Sequence, residues 1–275
     1  MVAGSSACRC AGLGRRGPEG VVYLMYHELE HPGHTLCQSE PGYLRYVLRK
    51  EEFESQMALL SEHSFQGVSV SQGLSNTQPG PAVVVTFDDG CETDLTVAAP
   101  ILLSRGFNAT FYLVAGFVGR PGYLSATQAR ELAGMGFEIG CHSMTHAYLA
   151  GLTERELKVE VVESKNTVEQ IIGRQANHFS CPGGRWSGAV ARMARQAGYR
   201  TVATSRVGAN SARSNPFCLS RVAVLRSLAP TDFFRISQGR GLTLQRLAQS
   251  VRSTAQRTLG DERYDQLRGA LLRRS

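Results

Sequence analysis

The sequence alternates short apolar runs with longer amphipathic segments, and this alternation limits the possible folds more than any other feature. Seven runs rich in β-branched and aromatic residues are candidate strands: 21–27, 82–87, 109–115, 137–142, 177–181, 199–205 and 220–226. Strand, helix and strand in this rhythm predict parallel βα units, arranged either as a barrel or as a doubly wound sheet.

Two of the intervening segments carry clear helix signals. Residues 51–63 place Phe53, Met57 and Leu60 on one apolar stripe. Residues 153–173 open with Thr153 and Glu156 at the spacing of a capping box. The same segment closes at Gly173, a residue type that favours helix ends.

Composition favours one large domain. The 275 residues are 42% hydrophobic and 19% charged, which excludes a disordered chain, and the apolar runs fall well short of a membrane span. We expect a flexible leader over 1–20, a barrel over 21–228 with a loop-like insertion at 31–50, and a basic helical extension over 229–275. The leader lacks the apolar run of a secretory signal, and seven cysteines show no disulfide framework. These features predict a cytoplasmic protein.

Arginine is concentrated near the C-terminus. Residues 230–275 carry nine Arg, no Lys and four acidic residues. Apolar residues there recur at helical spacing: Leu244, Leu247, Val251, Leu267 and Leu271. The pattern predicts amphipathic C-terminal helices whose arginine face is solvated, with peripheral contact to an anionic membrane as the alternative. Aromatic residues are not interleaved with these arginines, so nucleic-acid binding is not expected.

Polar residues follow several candidate strands at the edge where parallel βα folds carry their chemistry. Asp88 and Asp89 follow the strand 82–87, and His142 ends the strand 137–142. His146 comes four residues later, a spacing that in a helical turn brings two imidazoles onto one face. With one carboxylate they form a metal-binding set that leaves coordination positions open. The alternatives are an ordinary Asp-Gly turn and packed or exposed histidines.

Further residues cluster at the same edge. His27 closes the first strand, and the segment Ser180–Trp186 follows the strand 177–181. Three cysteines lie beside these motifs, but none is paired with a general base, so we expect them to fill packing spaces: Cys91, Cys141 and Cys181.

The motif TFDDG at residues 86–90, followed about fifty residues later by HSMTH at 142–146, resembles the NodB-like polysaccharide deacetylases. The resemblance extends over about residues 21–226. It implies a distorted (β/α) barrel and metal-dependent removal of acetyl groups from N-acetylated sugars. It assigns the metal to Asp89, His142 and His146.

The resemblance also makes Asp88 the catalytic base, beside one divalent ion. Zinc is favoured for mixed imidazole and carboxylate ligands, and iron, nickel or cobalt also suit them. Such an ion polarises the amide carbonyl and lowers the pKa of water, so that Asp88 can remove a proton as the nucleophile forms. Backbone N–H groups near Gly183, after Pro182, are candidates to hold the oxyanion, with Arg185 and Trp186 at the pocket rim.

Two family features are missing. The third motif usually supplies an arginine that orients the base, but this chain has Ser180 at that position, and the sequence leaves open whether Arg185 replaces it. The late histidine that usually acts as the acid is also absent, since no histidine follows His178. The segment YLMYHEL resembles a branch with permuted motif order that includes poly-N-acetylglucosamine deacetylases. In that branch an early histidine takes the acid's place, which here is His27, with His31 and His34 as weaker candidates.

Three functions are therefore in competition. The favoured one is a metal-dependent deacetylase of a sugar polymer, oligosaccharide or glycolipid. The second uses the same site to hydrolyse a cyclic amide or imide. The third, prompted by the missing arginine, is a catalytically silent carbohydrate-binding module. A cytoplasmic location favours a cytosolic precursor or a lipid-linked sugar at the inner membrane face.

Overall fold

The computed structural model describes residues 20–75, 79–243, 245–247 and 249. The strands of this part of the chain are β1 (Val21–Tyr26), β2 (Leu29–Glu30), β3 (Leu48–Arg49), β4 (Gln66–Val68), β5 (Ala82–Phe87), β6 (Thr110–Leu113), β7 (Glu138–Cys141), β8 (His178–Ser180), β9 (Thr201–Ala203), β10 (Ala209–Asn210) and β11 (Val222–Ala223). Its α-helices are α1 (Pro41–Leu44), α2 (Lys50–Glu62), α3 (Val70–Ser75), α4 (Ala99–Leu103), α5 (Ala126–Gly134), α6 (Glu154–Lys158), α7 (Ser164–Ile172), α8 (Gly188–Gln196) and α9 (Pro230–Ser237).

The main sheet is parallel except for one pair. Its strands run in the order β10-β1-β5-β6-β7-β8-β9, with β11 beside β1 and β4 beside the first half of β5. Only the pairing of β1 with β10 is antiparallel among these described strands. The chain near Leu219 bridges to Ala203 of β9, and β11 then pairs with β1. This connection closes the sheet into a distorted barrel, which confirms the predicted fold.

Each of the seven candidate strands contains a strand of this sheet, because the buried parallel strands are continuous apolar runs. In β5, for example, five of the six residues are buried. A row of stacked rings crosses neighbouring strands, with centroids 5.2 Å apart for Tyr26 and Phe87 and 5.0 Å apart for Phe87 and Phe111. Phe53 of α2 packs edge-on against this row. The rings fix the end of β5, which is where the two aspartates begin.

The segment 153–173 begins and ends as predicted. The Thr153 side chain caps the N-terminus of α6 and exchanges hydrogen bonds with Glu156, and Gly173 ends α7 with a left-handed φ of 69°. Between the two helices the chain widens into a π-helical turn, Val159–Glu163. The sequence pattern predicts one continuous helix here. The extra residue in the turn places Glu160 in the protein interior, where it is 6% exposed.

Other parts differ from the prediction. The insertion 31–50 is not all loop, since it contains α1 and β3 and begins α2. Strand β4 was not expected, because a three-residue strand with a central glycine carries little pattern. Of the predicted C-terminal helices, α9 lies in the described part and Leu247 is 65% exposed. Leu244, Val251, Leu267 and Leu271, like the leader 1–19, lie outside the described residues. No described helix has the length and apolarity needed to cross a membrane.

A polar network holds together the strand ends opposite the candidate site. Glu138 Oε2 accepts hydrogen bonds from Thr110 Oγ1 at 2.5 Å and from Ser71 N at 3.1 Å, and Glu138 Oε1 lies 3.2 Å from His178 Nε2. Burial by itself would raise the pKa of Glu138. The hydrogen bond and charge of His178, with the bonds from Ser71 and Thr110, outweigh burial and lower the pKa to about 2.

This network predicts a pH-dependent contribution to stability. Because the pKa of Glu138 is depressed on folding, its contribution is complete above the ordinary carboxyl range and is lost as pH falls towards about 2. We expect Glu138→Gln to destabilise the protein by on the order of 2 kcal/mol at pH 6 and by much less near pH 3. Urea unfolding at both values measures this difference. Glu54→Gln, on the exposed side of α2, is the control and should show no such change; equal destabilisation by Glu138→Gln at both pH values would contradict the assignment.

Candidate metal centre

The two adjacent aspartates point in different directions because the backbone turns between them. The Asp88 N–H donates to Tyr26 O at 3.0 Å, so Asp88 still continues the pairing of β5 with β1. Asp89 then adopts a left-handed φ of 80° and Gly90 one of 75°. A Cβ on Gly90 would lie 2.8 Å from Leu113 Cδ2, so both the backbone conformation and the space require glycine there. This turn separates the two carboxylates after a single buried strand.

The two histidines of the HSMTH motif converge without a helix. Residues 142–146 form a loop in which Ser143 and His146 have left-handed φ values of 70° and 65°. The expected helical turn is therefore wrong. Glu160 stabilises the loop instead: its carboxylate accepts from the backbone N–H groups of Met144 and Thr145, both at 3.0 Å, and from Thr145 Oγ1 at 2.7 Å. The π-helical turn that turns Glu160 inward thus shapes this motif.

The loop brings both imidazoles to the Asp89 carboxylate. Asp89 Oδ1 lies 3.5 Å from His142 Nε2 and 3.3 Å from His146 Nε2, and suitable donor atoms of all three residues lie within 4.8 Å of one another. His142 Nδ1 is 2.9 Å from Ser180 O, a contact in which the ring donates, so its Nε2 lone pair faces the site. Burial lowers the pKa of His142 to about 4, which keeps the ring neutral and able to bind a metal at neutral pH.

The donor set fits a divalent cation. Asp89 is 5% exposed, and its buried Oδ1 has no hydrogen-bond partner among the described residues. A buried carboxylate oxygen without a partner is costly, and a cation between it and two imidazoles removes that cost. The three predicted ligands therefore lie together, with one carboxylate oxygen and two imidazole nitrogens near a common point.

Asp88 has a different environment, dominated by an arginine that the sequence analysis missed. Arg221, directly before β11, is fully buried and binds Asp88 through two hydrogen bonds, Nη1 to Oδ1 and Nη2 to Oδ2, both 2.7 Å. Its remaining N–H groups donate to Thr204 O, Thr86 Oγ1 and Ser180 Oγ. All five donors of the guanidinium are thus used.

Ser180 belongs to the same arrangement. Its hydroxyl accepts from Arg221 Nη2 at 2.7 Å and donates to Asp88 Oδ2 at 3.2 Å. The family usually has an arginine at the position of Ser180. Here the side chain is small, and Arg221, which is distant in sequence, lies beside it. Arg185 does not replace it: its guanidinium stacks on the Tyr148 ring at 4.6 Å.

Arg221 determines the ionisation of Asp88. Burial by itself would raise the pKa of Asp88, but the charge of Arg221, assisted by His142 and by the Arg221 hydrogen bonds, holds it well below its usual range. Asp88 is therefore ionised across the neutral range. Asp88 Oδ2 also lies 3.7 Å from His142 Nε2, so the ionised base is adjacent to the metal-binding group.

His27 lies on the same side of the barrel. Its ring packs on Tyr46 with centroids 4.7 Å apart, and its buried Nδ1 has no partner among the described residues. Burial lowers the pKa of His27, while the carboxylates of Asp89 and Asp88 oppose this effect. His31 and His34 are engaged elsewhere, with their rings stacked 5.2 Å apart and His34 Nε2 2.7 Å from Glu28 Oε1.

The segment after β8 forms a tight turn at Pro182–Gly184. Gly183 is exposed with a φ of 58°, and a Cβ there would lie 2.7 Å from the Tyr148 ring. Trp186 Nε1 donates to Phe217 O at 2.6 Å, so the indole anchors this turn to the chain before β11. The Cys141 and Cys181 thiols are free and buried, as expected for packing residues.

Comparison with known proteins points to one family. Residues 75–202, just under half of the chain, match the family model described as polysaccharide deacetylase. The matches indicate a carbohydrate deacetylase, a hydrolase of carbon–nitrogen bonds. Arg221 lies beyond the residues that the family model matches.

Individual relatives of this deacetylase extend the comparison. The Bacillus subtilis protein named "Putative polysaccharide deacetylase YxkH" is 28% identical over 78% of this chain and 75% of its own length. A peptidoglycan-N-acetylglucosamine deacetylase of Bacillus cereus is 32% identical over 44% of this chain and 54% of its own. The structure of the Streptococcus pyogenes deacetylase PplD shares the fold, with a TM-score of 0.68, 23% identity, and coverage of 78% of this chain and 97% of that one.

The Asp88–Arg221 contact predicts a specific defect in the deacetylase. Arg221→Lys retains a positive charge but loses the paired hydrogen bonds, so the base is less well oriented and its pKa rises. We expect deacetylation to slow by about 10²-fold and the acid limb of the pH–rate profile to move to higher pH. Metal content should remain unchanged, because Arg221 contacts Asp88 and not the three ligands.

The control is Arg226→Lys, in which an exposed arginine that pairs with Glu30 receives the same substitution. It should keep the wild-type rate and pH profile. An unshifted acid limb in Arg221→Lys would show that Arg221 does not set the ionisation of the base.

Proposed function

We propose that the protein is a metal-dependent deacetylase that removes acetyl groups from an N-acetylated sugar by attack of water. The observation that carries this proposal is the convergence of His142 and His146 on the partnerless Asp89 Oδ1, beside a separately ionised Asp88. A divalent ion held by Asp89, His142 and His146, with zinc favoured over iron, nickel or cobalt, would polarise the acetamide carbonyl and lower the pKa of water.

Different side chains of the protein carry out the two proton transfers, the first from the attacking water and the second to the departing amine. Asp88 is ionised and held by Arg221, so it takes the proton from the attacking water at a fixed position. The tetrahedral oxyanion then needs a donor, and the backbone N–H of Gly183 is the candidate, because Pro182 has no N–H and the Gly184 N–H donates to Cys181 O. Finally the departing amine must receive a proton before the carbon–nitrogen bond breaks.

His27 is our candidate for that last transfer. Its unpartnered Nδ1 and the influence of Asp88, Asp89 and His146 on its charge support a location facing the reacting group. The lowered pKa makes the protonated ring a stronger acid than a solvent-exposed histidine. The resemblance of the YLMYHEL segment to the permuted branch supports the same role.

Aromatic side chains near the centre suit a carbohydrate. The centroid of the Phe117 ring lies 6.2 Å from that of His146 and 4.8 Å from that of Tyr123. The Tyr46 ring packs on His27. Aromatic faces with polar groups between them are typical of pockets for ligands that are part apolar and part polar. The Bacillus cereus relative, named a peptidoglycan-N-acetylglucosamine deacetylase, supports the same substrate class.

The two competing functions, a silent binding module and hydrolysis of a cyclic amide or imide, differ in the support that they retain. The catalytically silent binding module was considered because the third-motif arginine is missing. Arg221, directly before β11, makes an arginine contact with Asp88. Hydrolysis of a cyclic amide or imide uses the same centre and remains the alternative. The cytoplasmic location, with its cytosolic or lipid-linked substrate, remains a proposal from the sequence.

Acetate release across a panel of N-acetylated sugars tests the function. The panel contains chitooligosaccharides, an N-acetylglucosamine polymer and a lipid-linked N-acetylated sugar. Cyclic imides, whose hydrolysis opens the ring and releases no acetate, are the alternative substrates and are followed by loss of the imide. We expect the metal-stripped enzyme to be inactive and to recover on addition of zinc or cobalt. Turnover of imides alone would favour the alternative, and metal binding with no turnover of any substrate would contradict the enzyme mechanism.

Two variants separate the adjacent aspartates in the same assay. Asp88→Asn should keep the metal and lose about 10²- to 10⁴-fold in rate, because it removes a general base. Asp89→Asn should lose metal and activity together. Metal content by mass spectrometry and acetate release measure both, and equal metal loss in the two variants would reverse or abolish the assigned roles.

His27→Ala should keep metal and substrate binding and lose most of the rate, because the leaving amine lacks its proton. The loss should be smaller for an ester analogue, whose leaving group needs less protonation. His31→Ala is the control, since that ring stacks on His34 away from the centre. Wild-type turnover of amides by His27→Ala would assign the acid to another group.

A further inference from the structure

A second group of metal-binding side chains lies next to the catalytic turn. Glu28 directly follows His27, Cys91 follows Gly90, and Cys37 comes from the insertion between β2 and α1. Suitable donor atoms of these three residues lie within 4.8 Å of one another. Glu28 is fully buried, Cys91 is fully buried and Cys37 is half-buried. None of these residues is used in the deacetylation chemistry.

The distance between the two thiols is typical of shared metal ligation. Cys37 Sγ and Cys91 Sγ are 3.8 Å apart. Two thiolates on one tetrahedral zinc ion, each about 2.3 Å from the metal, are separated by about 3.8 Å. A disulfide needs about 2.0 Å. The observed spacing therefore places both sulfurs where a zinc-like ion would bind them without further movement.

Hydrogen bonds hold the Glu28 carboxylate beside the two thiols. Its Oε1 accepts from His34 Nε2 at 2.7 Å and from Cys37 N at 3.1 Å, and its Oε2 accepts from Tyr43 OH at 2.9 Å and from Cys37 N at 3.2 Å. Tyr43 OH also lies 3.6 Å from Cys91 Sγ. Such outer hydrogen bonds fix a ligand's direction and add to metal affinity.

An independent observation points to a missing cation. Asp94 follows Cys91 by one turn, with its N–H donating to Cys91 O at 3.0 Å. It is 1% exposed, and neither carboxylate oxygen has a hydrogen-bond partner among the described residues. A buried carboxyl group without a hydrogen-bond partner is costly, and a cation bound by the neighbouring cluster would reduce that cost.

We propose that Glu28, Cys37 and Cys91 bind a second divalent ion of the zinc class, with the buried Asp94 carboxyl group close by. Two thiolates favour a softer ion than the Asp89, His142 and His146 set does. On binding, each thiol releases its proton to solvent and no redox change occurs. The ion fixes the insertion that carries Cys37 against the turn that carries Asp89, so its role is structural.

Cobalt titration of the reduced, metal-free full chain tests this proposal separately from catalysis. Thiolate ligands give cobalt an intense near-ultraviolet charge-transfer absorption, and a site of imidazole and carboxylate alone does not. We expect wild type to bind two cobalt ions per chain and to show this absorption. His146→Ala, which damages the catalytic set, should keep the absorption and bind fewer ions. Cys37→Ser and Cys91→Ser should lose the absorption.

Cys218→Ser is the matched control, because Cys218 is also half-buried and free but lies near Arg206, away from the cluster. It should match wild type. If Cys91→Ser fails to fold by circular dichroism, the exposed-side variant Cys37→Ser gives the result. The proposal is overturned if reduced wild type shows no charge-transfer absorption, or if Cys37→Ser retains it. Recovery of Cys37 and Cys91 as a disulfide from protein kept in reductant would also overturn it.

Discussion

The buried ion pair between Asp88 and Arg221 is the interaction on which the rest of the site depends. Both side chains are almost fully withdrawn from water, and removing charges from water costs several kcal/mol for each ion. The cost is met here by paired hydrogen bonds and by full use of the guanidinium donors. Since the two residues are 133 positions apart in the chain, the pair also ties β5 to the segment that closes the barrel.

The pair explains how one strand end can present two different carboxylates. Asp88 receives hydrogen bonds from Arg221 and Ser180, so its lone pairs are largely engaged and its charge is permanent at neutral pH. Asp89 has the reverse situation, with a buried oxygen that lacks a partner. One backbone turn with a left-handed residue thus separates a carboxylate satisfied by the protein from one that needs a cation. Arg221 supplies the counter-charge for Asp88, and the proposed cation would supply the one for Asp89 and so relieve the repulsion between these neighbours.

Much of this arrangement could be predicted from local sequence pattern. The seven strands are continuous apolar runs. Asp88, Asp89 and His142 follow the carboxyl ends of strands, which a parallel sheet brings to one edge whatever contacts the side chains make. The prediction of a helical turn at HSMTH was wrong because the shape of this segment comes from Glu160. The inward orientation of Glu160 depends on a π-helical turn that the sequence did not predict. Arg221 was missed because its contacts are distant in sequence. Its signal was weak but present: a charged residue directly before the apolar residues 222–225, in a chain whose third motif has serine in place of arginine.

The location of Arg221 has a consequence for how the minimal catalytic unit is delimited. The family match ends at residue 202, before the Leu219 bridge, Arg221 and β11. A fragment that ends at residue 202 would contain Asp88 and the candidate metal ligands. It would lack Arg221, so that the buried Asp88 carboxylate would have no counter-ion, and it would lack β11, so that the barrel would not close. Classification from the matched residues alone would likewise count this chain among degenerate relatives. The border of the catalytic unit therefore lies at the strand that closes the barrel, because Arg221 directly precedes that strand.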